Sequence, residues 1–325
     1  MMILPLLLIA ATSPLLAADR EGVLPLLVSQ GTPLGRLAAV RMCVRGGPVL
    51  GFALASVIGI GILGTSADAA AEGEPGLRLS LVAAAILAYG LFWLGLAAWL
   101  DARVRRSGTT TLALVGTWLG TAVIVPALLH ATAVTWYPVP SRADLEEAVR
   151  EVQQEVWSGS DERILAAFFD EYRDIDPDTV GSLERFMIYQ MRALLESEAR
   201  VQRIEERYAR DRAAQAGFLR VARFLSPALM MQHAFEEAAG AGSERRRRFN
   251  AQLAEYVAAW RAYFIPKIYY RVPIRELTKT PRFQFVEEDA ADIARAAMLD
   301  IVMMLLAGAG GLAMAWRAYR QTSVT

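Results

Sequence analysis

The chain has 325 residues, of which 54% are hydrophobic and 21% charged, with a formal net charge of zero. Balanced charge gives no electrostatic footprint for nucleic acid. One cysteine, Cys43, and two histidines, His130 and His233, rule out an intrachain disulfide and the usual zinc ligand sets. The apolar residues gather into a few long runs, which makes a membrane protein the first class to test.

A helix crosses a bilayer with about 20 mostly apolar residues. The first candidate, "MILPLLLIAATSPLLAA" (2–18), is short and carries Pro5 and Pro14. Its position also suits a signal peptide, but no positive residue precedes it, and cleavage would invert the sidedness of every later loop. A span is therefore expected. Three more follow at 47–66, 79–100 and 110–134, and a fifth, "AAMLDIVMMLLAGAGGLAMAW", at 296–316.

The connections sort by charge. Arg20, Arg36, Arg41 and Arg45 lie in 19–46, three arginines in "DARVRRSG" (101–108), and Arg317 and Arg320 in the tail. The 67–78 loop, "ADAAAEGEPGLR", holds three acids and one arginine. Since arginine-rich loops stay in the cytoplasm, 19–46, 101–108 and the tail are expected inside, with 67–78 and 137–295 outside.

The segment 137–295 is charged, and its pattern is helical throughout. Ser141 with Asp144 just after Pro140 predicts a helix start. Leu183, Phe186, Met187, Met191, Leu194, Val201, Ile204 and Tyr208 recur at helical spacing, as do Phe249, Leu253, Tyr256, Val257, Trp260 and Phe264. Two long antiparallel helices, about 180–222 and 243–265, are expected, with these stripes as core. "GAG" at 240–242 reads as a break and "RFQFVEE" (282–288) as a short extended piece. The run Arg245–Arg248 reads as a solvated face neutralised by Glu236, Glu237 and Glu244. The fold class is thus all-α and polytopic, with five spans. Residues 1–136 carry four spans and the 19–46 loop, 137–295 form an extracytoplasmic helical domain, and 296–325 hold the last span and a short tail.

No Gly-x-x-x-x-Gly-Lys-Ser/Thr, His-Glu-x-x-His, Gly-x-Ser-x-Gly or Cys-x-x-Cys occurs. The chain lacks the P-loop of an ATPase and shows no catalytic signature. Two polar groups stand out in the apolar runs. Asp300 sits in the last span and His130 at the end of the fourth, and intramembrane ionisable groups are functional candidates.

The stretch "ADREGVLPLLVSQGTPLGR", between two apolar segments, resembles the coupling-helix region of ABC-2-type transporter permeases. Later pieces are similar to one branch of that superfamily, related to the permeases of nitrous-oxide-reductase maturation systems. They are "WYPVPSRADLEEAVRE" (136–151), "FLSPALMMQHAFEEAAG" (224–240), "YVAAWRAYFIPKI" (256–268) and "TPRFQF" (280–285). The resemblance implies a non-catalytic permease subunit, most simply an exporter, in the bacterial cytoplasmic membrane. It binds no cofactor itself, ATP-Mg belonging to a separate ATP-binding-cassette ATPase. A homodimer or a second permease, and lipid, are the other implied partners. Leu24, Leu26, Leu27 and Val28 would seat in the ATPase, with Arg20, Glu21 and Arg36 as charged register contacts. Pro25 and Gly31-Thr32 depart from the family pattern, and against its six spans the first one is expected to be missing. A membrane-anchored scaffold or sensor without transport is the alternative reading, and an amphipathic segment lying on the inner leaflet is the alternative for 19–36.

Overall fold

A computed structural model of the chain describes residues 3–13, 33–64, 75–104, 107–159, 161–270, 273 and 280–322. All regular structure among the described residues is helical. In chain order the helices are α1 (Ile3–Thr12), α2 (Leu34–Gly64), α3 (Pro75–Arg103), α4 (Ser107–Leu119) and α5 (Val125–Trp136), the last two joined by a π-helical turn, Gly120–Ile124. They continue with α6 (Arg142–Trp157), α7 (Asp161–Glu171), α8 (Ser182–Ala222), α9 (Pro227–Ala238), α10 (Ser243–Tyr269) and α11 (Ala290–Thr322).

Four helical stretches among the described residues are long and apolar enough to cross a membrane: Leu34–Leu63, Pro75–Arg103, Gly108–Trp136 and Ala290–Gln321. At 1.5 Å per residue each exceeds the ~30 Å hydrocarbon core. The first expected span, 2–18, is covered among the described residues only by the ten residues of α1, roughly 15 Å of helix. The second span begins well before residue 47, because α2 continues unbroken through Arg36, Arg41 and Arg45. Pro48 lies inside that helix.

The chain divides into two compact units. The first comprises Met1–Leu128, Ala222–Ala259 and Pro281–Thr325, so parts of the charged 137–295 segment fold with the apolar helices. Helix α3 forms its centre, burying Leu81, Ala85, Tyr89, Trp93 and Ala97. Helix α11 packs most extensively on α3, α9 packs on both, and α1 and α2 pack on α3 as well. Backbone meets backbone where α3 crosses α11. A Cβ at Gly95 would stand 2.3 Å from the Gly308 carbonyl oxygen, and one at Gly308 would stand 2.8 Å from the Leu91 backbone. Only glycine permits that approach, the usual device for packing helices in lipid. Around this pair the outer faces stay apolar and uncovered, with Phe52 75% and Leu112 73% exposed, as suits helices whose solvent is hydrocarbon.

The second unit comprises Leu129–Val221 and Trp260–Thr280. Helix α6 starts on a capping box, in which Ser141 Oγ accepts from the Asp144 amide and Asp144 accepts from the Ser141 amide. Helix α8 runs where the sequence places it, but its expected core stripe is largely uncovered. Leu183, Phe186, Met187 and Leu194 are exposed, while Ile188, Tyr189 and Ala193 are buried. The rest of the stripe, Met191, Val201, Ile204 and Tyr208, is half-buried. Phe168 anchors the unit, stacked on Tyr172 with ring centroids 4.9 Å apart and edge-on to Tyr269 at 5.0 Å.

Candidate functional site

The π turn comes from proline. Pro126 has no N–H, so the carbonyl it would otherwise satisfy is left open in the apolar stretch Gly108–Trp136. In the π register the Val125 amide reaches the Gly120 carbonyl, and the next bond of that series, to the Thr121 carbonyl, has no donor at Pro126. Ser226 supplies it, its hydroxyl donating to the Thr121 oxygen at 2.6 Å. The same hydroxyl accepts from the Leu229 amide and so caps α9, whose first residue is Pro227. Ser226 is fully buried.

One turn earlier, the 3-10 segment Arg223–Leu225 turns the chain from α8 into α9. Arg223 is buried, its guanidinium over the Phe224 ring at 4.4 Å. Its Nε donates to Asp300 Oδ1 at 2.8 Å. The other Asp300 oxygen, Oδ2, meets His233 Nδ1 at 2.7 Å. His233 Nε2 lies 3.8 Å from Glu237, one turn further along α9. Asp300 itself is completely buried in α11. An ionised carboxylate can persist in such a place only when its oxygens are engaged by charged or strong donors, and here both are. The arrangement ties α9 to α11 and leaves no oxygen of Asp300 without a polar partner. It is a charged joint of Arg223, Asp300, His233 and Glu237 between α11 and α9 with the turn that precedes it.

Residues 142–286 match a family model described as "Domain of unknown function (DUF3526)".

No curated protein and no solved structure matches the chain. The matched region contains Arg223, Ser226 and His233, while Asp300 lies beyond its end in the last apolar helix. The joint therefore connects the matched domain to a segment outside it.

Of the residues singled out from sequence, Asp300 is the one that the fold builds into a site. His130 is exposed in α5, and Arg36 is exposed in the first turn of α2. Arg20, Glu21, Leu24, Leu26, Leu27 and Val28 lie outside the described residues. The partners Arg223 and His233 were not anticipated. Their signal was the twelve-residue, nearly uncharged run 224–235, too short to span and too apolar for a hydrated surface, which is the profile of a buried or interfacial helix.

Three of the four arginines in the run pair with acids, two of them with other partners than nearby sequence implies. Arg247 pairs with Glu244, whereas Arg245 pairs with Glu287 and Arg248 with Asp292 and Glu288. The hydrogen bond to Asp292 holds the Arg248 guanidinium above its ordinary pKa. Glu237 lies 3.8 Å from His233 Nε2 instead, and after α9 Gly240 turns the chain with a φ of 73°. The segment 282–288 carries no regular secondary structure. Its Val286 amide and carbonyl pair instead with the Gln252 side chain of α10, at 2.9 and 3.0 Å. Among the described residues no cluster of side chains could hold a metal ion.

Proposed function

We propose that the chain is the permease subunit of an ATP-binding-cassette transporter, most simply an exporter, in a bacterial cytoplasmic membrane. Support comes from one coincidence. The blocks that resemble ABC-2 permeases occur in order along a chain whose apolar helices are long enough to span a membrane, and which carries no nucleotide-binding motif. ATP and Mg would be bound by a separate ATPase, and the subunit would work as a homodimer or beside a second permease. Residues 19–36 would be the contact with that ATPase. Closure of the ATPase would push there, with Leu24, Leu26, Leu27 and Val28 seated in a groove and Arg20, Glu21 and Arg36 fixing register. Segment 137–295 would face outward. Within this reading the Asp300 joint makes α9 move with α11, so a displacement of the last span reaches the matched domain as a displacement of its apolar helix.

The test is substitution at the contact. Leu27→Asp places a charge in an apolar seat and is expected to abolish ATPase recruitment and nucleotide-dependent transport, leaving the chain in the membrane. Unchanged recruitment would refute the assignment. Purification of the intact chain with no ATPase would favour the scaffold or sensor.

A further inference from the structure

The apolar face of α8 has both relief and size. Leu183, Phe186, Met187 and Leu194 are spaced so that they share one side of the helix, and all four are exposed, Leu183 to 70%. Beside them opens a cavity of about 470 Å³, lined from α8 by Gln190 and Met191, from the end of α6 by Trp157 and from α10 by Ile268. Among the described residues that line it none is charged, and Gln190 brings an amide. Every residue of this face lies within the second unit.

Side chains of this size at these exposures offer water on the order of 500 Å² of apolar surface, as much as the largest patches that single proteins leave open. The chemistry of the face selects what covers it. Docking of a different protein draws its orientation from complementary charges, and the lining of this recess carries none. A second copy needs none. A two-fold axis brings a patch against its own image, where charges would repel and an uncharged face does not. The Gln190 amide holds both donors and an acceptor, so it can pair with the same amide of the other copy. Protrusion and recess also occur on the one face, since Leu183 stands clear of the cavity that Trp157, Met191 and Ile268 line. Each copy thus has a knob for the other's hole. Self-contact would bury about 1,000 Å² in total, the level at which specific interfaces begin.

We infer that this face of α8 is the interface between two copies of the chain. The inference selects the homodimer among the partners named above, but it stands on the exposed face alone, and its test contains no ATPase. Full-length protein in dodecylmaltoside would be weighed by native mass spectrometry across a dilution series. The parent is expected to run as a dimer. Phe186→Glu/Leu194→Glu should raise the dimer Kd at least tenfold with helicity and melting unchanged, because both side chains are exposed. In a Cys43→Ser background, which removes the sole cysteine, Met187→Cys at the middle of the patch should be joined to its own copy by a short bismaleimide. Arg203→Cys, exposed on the opposite side of α8, should not. A parent that stays monomeric at every concentration would overturn the proposal, as would a dimer that survives Phe186→Glu/Leu194→Glu or crosslinks as readily from residue 203. Lipid retained on a monomer, or a different protein bound in place of a second copy, would also overturn it. Monomers that still recruit the ATPase would overturn the interface and leave the permease reading intact.

Discussion

Removing one partner of the Asp300 joint should cost far more than removing both. Asp300 and Arg223 are separated by 2.8 Å and are 0% and 10% exposed at the side chain. At an effective dielectric of about 20 their attraction is roughly 6 kcal/mol, offset by a desolvation penalty of several kcal/mol for each ion. The intact pair is therefore worth little net. Asp300→Leu leaves a buried guanidinium without its carboxylate, and Arg223→Met leaves a buried carboxylate holding only His233. Each single change should destabilise by about 3–5 kcal/mol, whereas Arg223→Met/Asp300→Leu should fall within about 2 kcal/mol of the parent. Reversible unfolding of the full chain in mixed micelles, followed by circular dichroism, completes the cycle. Two small, additive single effects of under about 1 kcal/mol would show that the charges are not a buried couple and would refute the reasoning.

Three further outcomes follow from the same structure. Gly308→Leu should prevent α11 from seating on α3, because its Cβ would stand 2.8 Å from the Leu91 backbone, while Gly310→Leu, with nothing within 4 Å, should be tolerated; melting in detergent separates them, with the first lower by at least the ~1–3 kcal/mol of core overpacking. Ser226→Ala removes both a helix cap and the donor to the Thr121 carbonyl, and should cost about 1–3 kcal/mol. Hydrogen exchange should rise at the start of α9, and unchanged exchange there would count against the double role. In the second unit, burial raises the phenol pKa of Tyr189, Tyr269 and Tyr270 above 10.0, with the carboxylates Asp161 and Asp174 adding to the effect at Tyr189 and Tyr270. A folded pKa above the unfolded one means that this stability is complete below about pH 10 and is lost as the pH climbs through the raised values. Phenolate absorbance should show a late-titrating fraction that disappears on unfolding, and titration of every tyrosine near 10 would contradict it.

How far the sequence could be read varied with the kind of interaction. Helix ends governed by local chemistry were legible: Ser141 and Asp144 cap each other as their spacing requires, and α8 ends at Ala222 as expected. Apolar length located the four spanning stretches, because length and hydropathy are properties of a segment alone. The end of α2 nearer the N-terminus was misjudged, since its arginines read as loop although they continue a helix. Asp300 was recognisable as an outlier in an apolar run, but its partners lie 67 and 77 residues away, and charge alone does not reveal which distant side chain answers it. The exposed residues of the α8 stripe, Leu183, Phe186, Met187 and Leu194, have a related cause: periodicity shows that a face is apolar, not how far a neighbour will cover it. The π turn depended on both Pro126 and Ser226, and only folding brings the second to the first.

The most direct measurement is the composition of the complex drawn from native membranes through a tag on this chain. Full-length protein extracted in nanodiscs and weighed by mass photometry should carry an ATP-binding-cassette ATPase in fixed ratio to the chain, with ATP hydrolysis in the purified complex that is lost with Leu27→Asp. An intact chain of constant mass that carries no ATPase and hydrolyses no ATP would contradict the permease assignment.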